Sequence, residues 1–176
     1  PQRSSADSMA IYLEPMTSQD VESILEIESE SNLEPWSARC FLEEMGRSYS
    51  RVRVARDGHR MGRIVGYICF WLIVDELQIL NVAVHKDYRR RGIGRKLLSY
   101  ALDTGVVRNA RVAVLEVRQS NTSARSLYGQ LGFRPLGIRP NYYGGITESA
   151  ILMELDLKDY RTSEAPRETL GLCVEG

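Results

Sequence analysis

The chain has 176 residues, of which 43% are apolar and 26% charged, which fits one globular domain and is short for two. Its 23 basic and 23 acidic side chains cancel, so bulk charge gives no reason to expect nucleic acid or a membrane surface as a partner. No apolar run reaches the ~18 residues that a membrane span needs, and no signal-peptide core precedes the first predicted helix. We therefore expect a cytoplasmic protein.

The three cysteines, Cys40, Cys69 and Cys173, are far apart and odd in number, which fits a reducing compartment better than a disulfide framework. Cys69 lies inside an apolar run and is interpreted as a small core residue. The two histidines, His59 and His85, have no partner at a metal-binding spacing. The sequence therefore predicts no metal site.

The first half of the chain predicts helices and antiparallel strands. Residues 1–9 are polar and Ser-rich, and we expect them to be flexible. A short strand over 10–15 precedes a helix, for which Thr17 is the expected N-cap and Asp20 the capping-box residue. Ser37 is the expected N-cap of a second short helix.

The rest of the chain alternates between strand-like and helix-like patterns. The predicted elements are strands over 51–56, 64–74 and 77–84, a helix over about 93–107, a strand over 112–117, a helix over 123–131, and strands over 133–138 and 150–157. Residues 141–145 are predicted to form an exposed loop and residues 159–176 a flexible tail, which leaves 10–158 as the folded domain. An antiparallel half followed by a β-α-β-α-β half predicts a mixed α/β fold.

A basic loop lies between the strand at 77–84 and the helix that follows it. Gly92 and Gly94 allow a ligand to approach the backbone closely, and the free N–H groups at the start of the helix favour an anion. Four arginines accompany the glycines, namely Arg89, Arg90, Arg91 and Arg95. A diphosphate would suit these donors, although an exposed basic turn before a helix explains the pattern too. The loop matches neither the nucleoside-triphosphate nor the dinucleotide pattern.

The sequence Arg89-x-x-Gly92-x-Gly94 resembles the acetyl-CoA pyrophosphate loop of the GCN5-related N-acetyltransferase (GNAT) superfamily. A second motif follows, composed of Leu115-Glu116-Val117-Arg118-Gln119-Ser120-Asn121 and of Ala124-Arg125-Ser126-Leu127-Tyr128 through Gly132-Phe133. With Pro35-Trp36-Ser37 upstream and Asn141-Tyr142-Tyr143 downstream, the chain resembles the ribosomal-protein-alanine N-acetyltransferase family. The resemblance extends over residues 10–157.

The resemblance implies the GNAT fold, a mixed sheet of about seven strands flanked by about four helices. It also implies transfer of an acetyl group from acetyl-CoA to the N-terminal alanine of a small-subunit ribosomal protein, by a monomer or weak dimer. Neither motif contains a cysteine, so we expect direct transfer in a ternary complex. The alternatives are a GNAT enzyme for a small amine, a CoA-binding regulatory domain without catalysis, and a ribosome-binding module.

Two residues carry the implied chemistry. Glu116 matches the family's general base, and a carboxylate inside an apolar strand is costly without a role. A salt bridge of Glu116 with Arg118 or with a loop cation is the alternative. Tyr128 matches the tyrosine that protonates the sulfur of CoA, although an aromatic residue on the inner face of a short helix is also ordinary packing.

The remaining site residues are implied by the same resemblance. The cofactor-binding residues are Val82, Ala83, Val84, Arg89, Arg90, Arg91, Gly92, Ile93, Gly94, Arg95 and Asn121, of which Asn121 could also be a helix N-cap. The candidates for binding the acceptor are Trp36, Tyr142, Tyr143 and Glu148, each of which packing or loop structure explains almost as well. Asp75 or Glu76 could supply a second carboxylate. Ser149 stands where relatives carry an aspartate, which puts the substrate preference in doubt.

Overall fold

The computed structural model describes residues 9–143 and 148–162, and in them seven strands form one sheet with five helices packed on it. The strands are β1 (Ile11–Pro15), β2 (Ser50–Asp57), β3 (Ile64–Ile73), β4 (Glu76–Val84), β5 (Val112–Arg118), β6 (Arg134–Tyr143) and β7 (Glu148–Asp156). The helices are α1 (Val21–Ser31), α2 (Ala38–Gly46), α3 (Ile93–Val107), α4 (Thr122–Gln130) and α5 (Leu157–Thr162). Short 3₁₀ turns occupy Ser18–Asp20 and Lys86–Tyr88.

The strand order across the sheet is β1-β2-β3-β4-β5-β7-β6. Every neighbouring pair is antiparallel except β4 and β5, which are parallel and are connected through α3. A parallel pair needs such a crossover, whereas the antiparallel pair β2–β3 is joined by a short turn. The predicted mixed sheet of the GNAT fold is confirmed.

The predicted helix starts have the expected capping contacts. Thr17 is the N-cap of the 3₁₀ turn Ser18–Asp20 that leads into α1, and its backbone N–H donates to Asp20 Oδ2 at 2.8 Å, the reciprocal bond of a capping box. The Ser37 hydroxyl oxygen accepts from the Cys40 backbone N–H at 3.4 Å and caps α2. Both sequence predictions are therefore confirmed.

The core has one layer on each face of the sheet. On one face, Leu97, Leu98, Ala101 and Leu102 of α3 are completely buried. On the other face, the apolar side chains of α1 and α2 pack against the central strands. Cys69 of β3 is buried there, as predicted, and burial raises the pKa of its thiol to about 12.

Two predicted boundaries differ from the structure. Residues 141–143 were predicted to be a loop, but they belong to β6, which extends to Tyr143 because it pairs with Glu148 at the start of β7. Residues 159–162 were assigned to the flexible tail, but they continue α5. Tyr160 is buried there and its hydroxyl donates to Asp103 Oδ1 at 3.0 Å. Residues 1–8, 144–147 and 163–176 lie outside the described residues.

The last strand in the sheet order, β6, combines prolines with exposed apolar side chains. It contains Pro135 and Pro140, and its Leu136 and Ile138 side chains are 60% and 63% exposed. At the opposite edge, the five-residue strand β1 ends in Pro15. Both outer strands of the sheet therefore carry proline.

Candidate active site

The site begins where β4 separates from β5. The two strands pair only from Glu76 and Val112 to Ile79 and Leu115, whereas β4 continues to pair with β3 as far as Val84. A register shift in the β3–β4 ladder makes Leu80 the additional residue of a bulge. Because a bulge bends its strand, β4 and β5 diverge beyond it. The edge of β4 over residues 80–84 therefore faces a gap instead of a partner strand.

The gap opens into a cleft of about 1150 Å³, here called the cofactor cleft. Its lining includes the predicted cofactor-binding residues Val82, Ala83, Val84, Arg89, Arg90, Gly92, Ile93, Gly94, Arg95 and Asn121. Arg91 is the exception. Its guanidinium lies over the Tyr88 ring, 5.2 Å from the ring centroid, and its side chain does not line the cleft. The structure thus brings together all of the predicted set except the Arg91 side chain.

Gly92 determines how the basic loop joins α3. Its φ of 79° is left-handed, a conformation that glycine adopts without a Cβ penalty. The helix begins at Ile93, and Lys96 is the first residue whose N–H bonds back to the Gly92 carbonyl, at 3.0 Å. The N–H groups of residues 93–95 are thus the free donors at the positive end of the α3 dipole.

Side chains of the loop hold it in place. Arg89 Nε donates to the Val84 carbonyl at 3.2 Å, and Arg95 Nη2 donates to Gln130 Oε1 at 2.5 Å. The first bond fixes the loop to β4, and the second connects the first turn of α3 to α4. The cleft therefore combines fixed backbone donors with a local excess of positive charge, which suits a diphosphate.

A second groove of about 540 Å³, here called the acceptor groove, lies on the other side of the gap. Its lining residues include apolar Ile79, Leu80, Val114 and Leu152 together with Trp36, Glu34, Glu116, Arg118 and Glu148. A smaller cavity of about 180 Å³, the junction cavity, shares residues with both. Glu116, Asn121 and Tyr128 all line this junction cavity. The two predicted catalytic residues are thus brought to the place where cleft and groove meet.

Glu116 differs from the expectation that its carboxylate is buried. Strand β5 alternates, so that Glu116 and Arg118 share the open face of the strand while Leu115 and Val117 are buried. The Glu116 side chain is 27% exposed, and Arg139 Nη2 contacts its Oε1 at 3.0 Å. A salt bridge is therefore present, as in the sequence alternative, but its partner is Arg139 of β6 and not Arg118 or a loop cation. The partner was missed because it is on a strand distant in sequence.

Tyr128 and Asn121 have the structural roles that the sequence allowed, and both lie where the predicted functional roles would be exercised. Tyr128 is buried on the inner face of α4, its ring 5.9 Å from that of Phe133, and it lines both the cofactor cleft and the junction cavity. Asn121 caps α4, its Oδ1 accepting from the Ala124 N–H at 3.1 Å, and it lines the same two cavities. The structural and functional roles are compatible for both residues.

Of the predicted acceptor-binding residues, Trp36 and Glu148 line the acceptor groove. Glu148 Oε1 accepts the Ser120 backbone N–H at 2.8 Å, and hydrogen bonds from the Ser120 side chain and backbone hold the pKa of Glu148 below its ordinary value. The side chains of Tyr142 and Tyr143 lie outside the described residues. Their backbone is part of β6.

The two acids proposed as a second carboxylate are not in the site. Asp75 lies in the turn between β3 and β4 and pairs with Arg111 at 3.5 Å, and Glu76 accepts from Gln78 Nε2 at 2.6 Å. Neither acid lines the acceptor groove or the junction cavity in the described part of the chain.

The sequence analysis missed a buried polar cluster that borders the junction cavity. Glu28 of α1 is completely buried and accepts hydrogen bonds from Asn32, Trp36, Tyr67 and Asn81. A signal was present, because Glu28 is four residues after the core residue Ile24 and so lies on the buried face of the helix. An acid at a core-facing helical position needs partners.

Neither a metal-binding cluster nor a membrane-spanning helix is found in the described residues. No group of three or more His, Cys, Asp or Glu side chains in residues 9–143 and 148–162 is arranged to hold a metal ion. Among the helices over those residues, none is both long and apolar enough to span a membrane.

Comparison with known proteins gives consistent matches. The acetyltransferase (GNAT) family model matches residues 21–133. A putative [ribosomal protein bS18]-alanine N-acetyltransferase of Bacillus subtilis is 34% identical over 146 residues, covering 82% of this chain and 94% of the relative. The [ribosomal protein bS18]-alanine N-acetyltransferase of Salmonella typhimurium is 33% identical, covering 81% and 95%.

Two solved structures are similar along most of their length. The ribosomal-protein-S18-alanine N-acetyltransferase from Escherichia coli has a TM-score of 0.75 and 29% identity, over 92% of this chain and all of that one. Ard1 from Thermoplasma volcanium has a TM-score of 0.74 and 28% identity, over 84% and 97%. With the matched family model and the diverging β4 and β5 strands, these comparisons show that the chain belongs to the GNAT acetyltransferase family.

Proposed function

We propose that this protein transfers the acetyl group of acetyl-CoA to the N-terminal α-amine of a protein, with the N-terminal alanine of a small-subunit ribosomal protein as the acceptor. The relatives from Bacillus subtilis and Salmonella typhimurium support this acceptor, because both are named for alanine acetylation of ribosomal protein bS18 and the match covers almost their whole length. Such an acceptor would put the reaction in the cytoplasm. A monomer or weak dimer stays the predicted oligomeric state.

The observation that carries the proposal is the junction cavity. Glu116 comes from β5 and Tyr128 from α4, and both line this one small space between the acceptor groove and the cofactor cleft. An amine in the groove and a thioester in the cleft would meet there. A proton acceptor and a proton donor at the meeting point are what amide formation from an amine and a thioester requires.

The cofactor cleft has the donors that acetyl-CoA needs. The β4 edge over residues 80–84 has no β5 partner and suits the amide groups of the pantetheine arm, and the free N–H groups that follow Gly92 suit its pyrophosphate. Acetyl-CoA supplies a thioester carbonyl that an amine can attack. The residues present thus fit the acetyl donor of this family.

In the proposed mechanism the chain's side chains move the protons. Glu116 takes a proton from the incoming ammonium group, directly or through one water, and leaves a neutral amine. The amine nitrogen attacks the thioester carbonyl and the C–N bond forms. The nitrogen loses its remaining extra proton to solvent as the tetrahedral intermediate collapses and the C–S bond breaks. Tyr128 gives its proton to the departing sulfur and is then reprotonated from solvent. Cys40 and Cys69 line neither the groove nor the cleft, which agrees with direct transfer.

The test is acetyl-CoA turnover with a panel of short peptides that differ only at the first residue. We expect selective acetylation of the peptide that begins with alanine. Glu116→Gln and Tyr128→Phe should each lower kcat/KM by roughly 10²-fold or more, because each removes a proton-transfer group. Calorimetric titration with acetyl-CoA checks that both variants still bind the donor.

Other outcomes would contradict the proposal in different ways. Turnover of polyamines or other small amines without peptide turnover would assign the groove to a small amine, and its acids Glu34, Glu116 and Glu148 would suit such a cation. Binding of acetyl-CoA without transfer to any acceptor would favour a regulatory domain.

A further inference from the structure

The buried Glu28 carboxylate is an unusual feature of the site. Its exposed fraction is 0%, and no Lys, Arg or His in the described chain lies within salt-bridge distance of it. A buried charge without a cation is costly and persists only where neutral donors surround it. The proposed mechanism does not use Glu28, although this residue lines the junction cavity beside Glu116 and Tyr128.

The donors around Glu28 come from three separate parts of the chain. Asn81 Nδ2 lies 3.1 Å from each carboxylate oxygen, and the Trp36 backbone N–H donates to Oε1 at 2.9 Å. Asn32 Nδ2 donates to Oε2 at 2.7 Å, and the Tyr67 hydroxyl donates to the same oxygen. With every lone-pair direction occupied, the carboxylate has no free site for a proton from the acceptor. Glu28 is therefore unsuited to act as a base.

These bonds connect elements that form the wall of the acceptor groove. Trp36 and Asn32 belong to the connection between α1 and α2, and both line the groove. Asn81 follows Leu80 in the β4 bulge, where β4 turns away from β5. One carboxylate thus holds the α1–α2 connection against the bulge, at the point where groove and cofactor cleft meet.

We propose that Glu28 is a positioning residue for the acceptor: through Trp36, Asn32 and Asn81 it sets the position of the groove wall that directs the acceptor amine toward Glu116. This inference rests on the proposed function. A carboxylate suits this position because Asn32, Trp36, Tyr67 and Asn81 all donate to it. Glutamine at position 28 would place an NH₂ group among the donors of Asn32, Tyr67 and Asn81.

The first test is Glu28→Gln, measured with the alanine peptide and with acetyl-CoA. We expect KM for the peptide to rise by about tenfold with a smaller change in kcat, because the groove wall is displaced while Glu116 and Tyr128 remain. The Kd for acetyl-CoA should change less than KM for the peptide, because the phosphate-binding loop is untouched although Asn32 lines the cofactor cleft as well. A fall in kcat alone, or an unchanged KM for the peptide, would overturn the inference.

The second test restores the pattern of donors and acceptors. In Glu28→Gln combined with Asn81→Asp, the new carboxylate at position 81 can accept from the amide at position 28. The Tyr67 hydroxyl and Asn32 Nδ2 already lie 3.4 Å from the Asn81 side-chain oxygen. KM for the peptide should fall most of the way back to the wild-type value in the double variant. Failure to recover it in a folded double variant would overturn the inference.

The third test asks whether Glu28 acts through Trp36. In a double-mutant cycle of Glu28→Gln and Trp36→Ala, the rise in KM of the double variant should be smaller than the product of the two single rises, because both changes disturb the same groove wall. Fully multiplicative effects would overturn the proposal. If Glu28→Gln does not fold, Tyr67→Phe replaces it in the cycle. The phenylalanine variant removes one hydrogen-bond donor to Glu28 and should raise KM for the peptide about threefold. Combined with Trp36→Ala, the rise should again be smaller than the product of the two single rises.

Failure of this inference is distinguishable from failure of the proposed function. Amide hydrogen exchange of Trp36 needs no acceptor and should accelerate at least about tenfold in Glu28→Gln, because its hydrogen bond to Oε1 is weakened. Absence of peptide turnover in the wild-type protein would refute the proposed function. Normal wild-type turnover with unchanged exchange and an unchanged KM in Glu28→Gln would refute only the role of Glu28.

Discussion

The cofactor cleft and the acceptor groove are built in different ways. The cleft presents the unpaired edge of β4 and the N–H groups at the start of α3, both within residues 82–95, and the end of α1 and residues 118–130 complete its lining. The groove is assembled from the α1–α2 connection, β4, β5 and β7, and its charged groups are held by side-chain contacts across the sheet. The cleft therefore depends mainly on backbone conformation, and the groove on pairs of side chains.

The strongest test of this difference is a change in backbone conformation alone. Gly92→Ala places a Cβ on a residue with a φ of 79°, which should cost about 1–2 kcal/mol of unfolding free energy and weaken acetyl-CoA binding several-fold. Urea unfolding and calorimetric titration measure the two effects. The control is Gly129→Ala in α4, where a Cβ meets nothing within 4 Å and the change should stabilise by up to about 1 kcal/mol. Equal changes in stability and in acetyl-CoA affinity in both glycine variants would contradict a cleft that depends on the backbone conformation at Gly92.

Asn121 can be tested for its two roles separately. Asn121→Ala removes the cap of α4 and should cost about 1 kcal/mol of stability. Asn121→Asp keeps the cap but replaces the side-chain NH₂ donor by a negative charge. Stability should therefore return to the wild-type value in the aspartate variant, while KM for acetyl-CoA should be raised in both variants. Recovery of both quantities in the aspartate variant would reduce Asn121 to a capping residue.

A smaller effect is expected for the ion pair in the groove. Arg139→Gln removes the partner of Glu116. Because this pair is partly exposed, it contributes at most about 1 kcal/mol, so its loss should lower kcat/KM for the peptide by no more than about fivefold. Affinity for acetyl-CoA should not change. The control is Arg134→Gln on the same strand, opposite Glu154, which should leave kcat/KM unaltered. A loss of donor binding in Arg139→Gln would mean that groove and cleft are not separate.

The smallest effect concerns Glu148 at the rim of the groove. Hydrogen bonds from Ser120 hold the pKa of this carboxyl below its ordinary value, so the contact is complete above that ordinary value and is lost as the pH falls through the lowered pKa. The Ser120 amide chemical shift, followed by NMR from neutral pH downward, should titrate at a lower pH than an unperturbed glutamate does. It should stay flat in Glu148→Gln. A transition at or above the ordinary glutamate pKa would contradict the assignment.

The sequence predicted the elements of the fold and the cofactor cleft because their signals are local. Apolar periodicity fixed α3, and the spacing of Gly92 and Gly94 after a strand predicted the loop that precedes it. Arg91 was included among the cofactor-binding residues because of its place in the loop, but spacing along a loop does not say which way each side chain points. Its contact with the Tyr88 ring could not be read from the loop pattern.

The groove was harder to predict because its contacts join distant positions. Glu28 meets Tyr67 and Asn81 across 39 and 53 residues, and Glu116 meets Arg139 on a strand that is not its neighbour in the sheet. Alternation along β5 did predict that Glu116 and Arg118 share a face. Only the arrangement of the sheet shows which cation Glu116 pairs with, or that an acid on the inner face of α1 borders the site.

The composition of the sheet edges has a consequence for behaviour at high concentration. An outer strand with exposed Leu136 and Ile138 could recruit a strand from another molecule and start aggregation. Pro135 and Pro140 interrupt that edge, because proline has no N–H to donate to an added strand. At the other edge, β1 is short and ends in Pro15. The prolines thus make both margins of the sheet poor templates for strand addition, which favours a chain that stays dispersed.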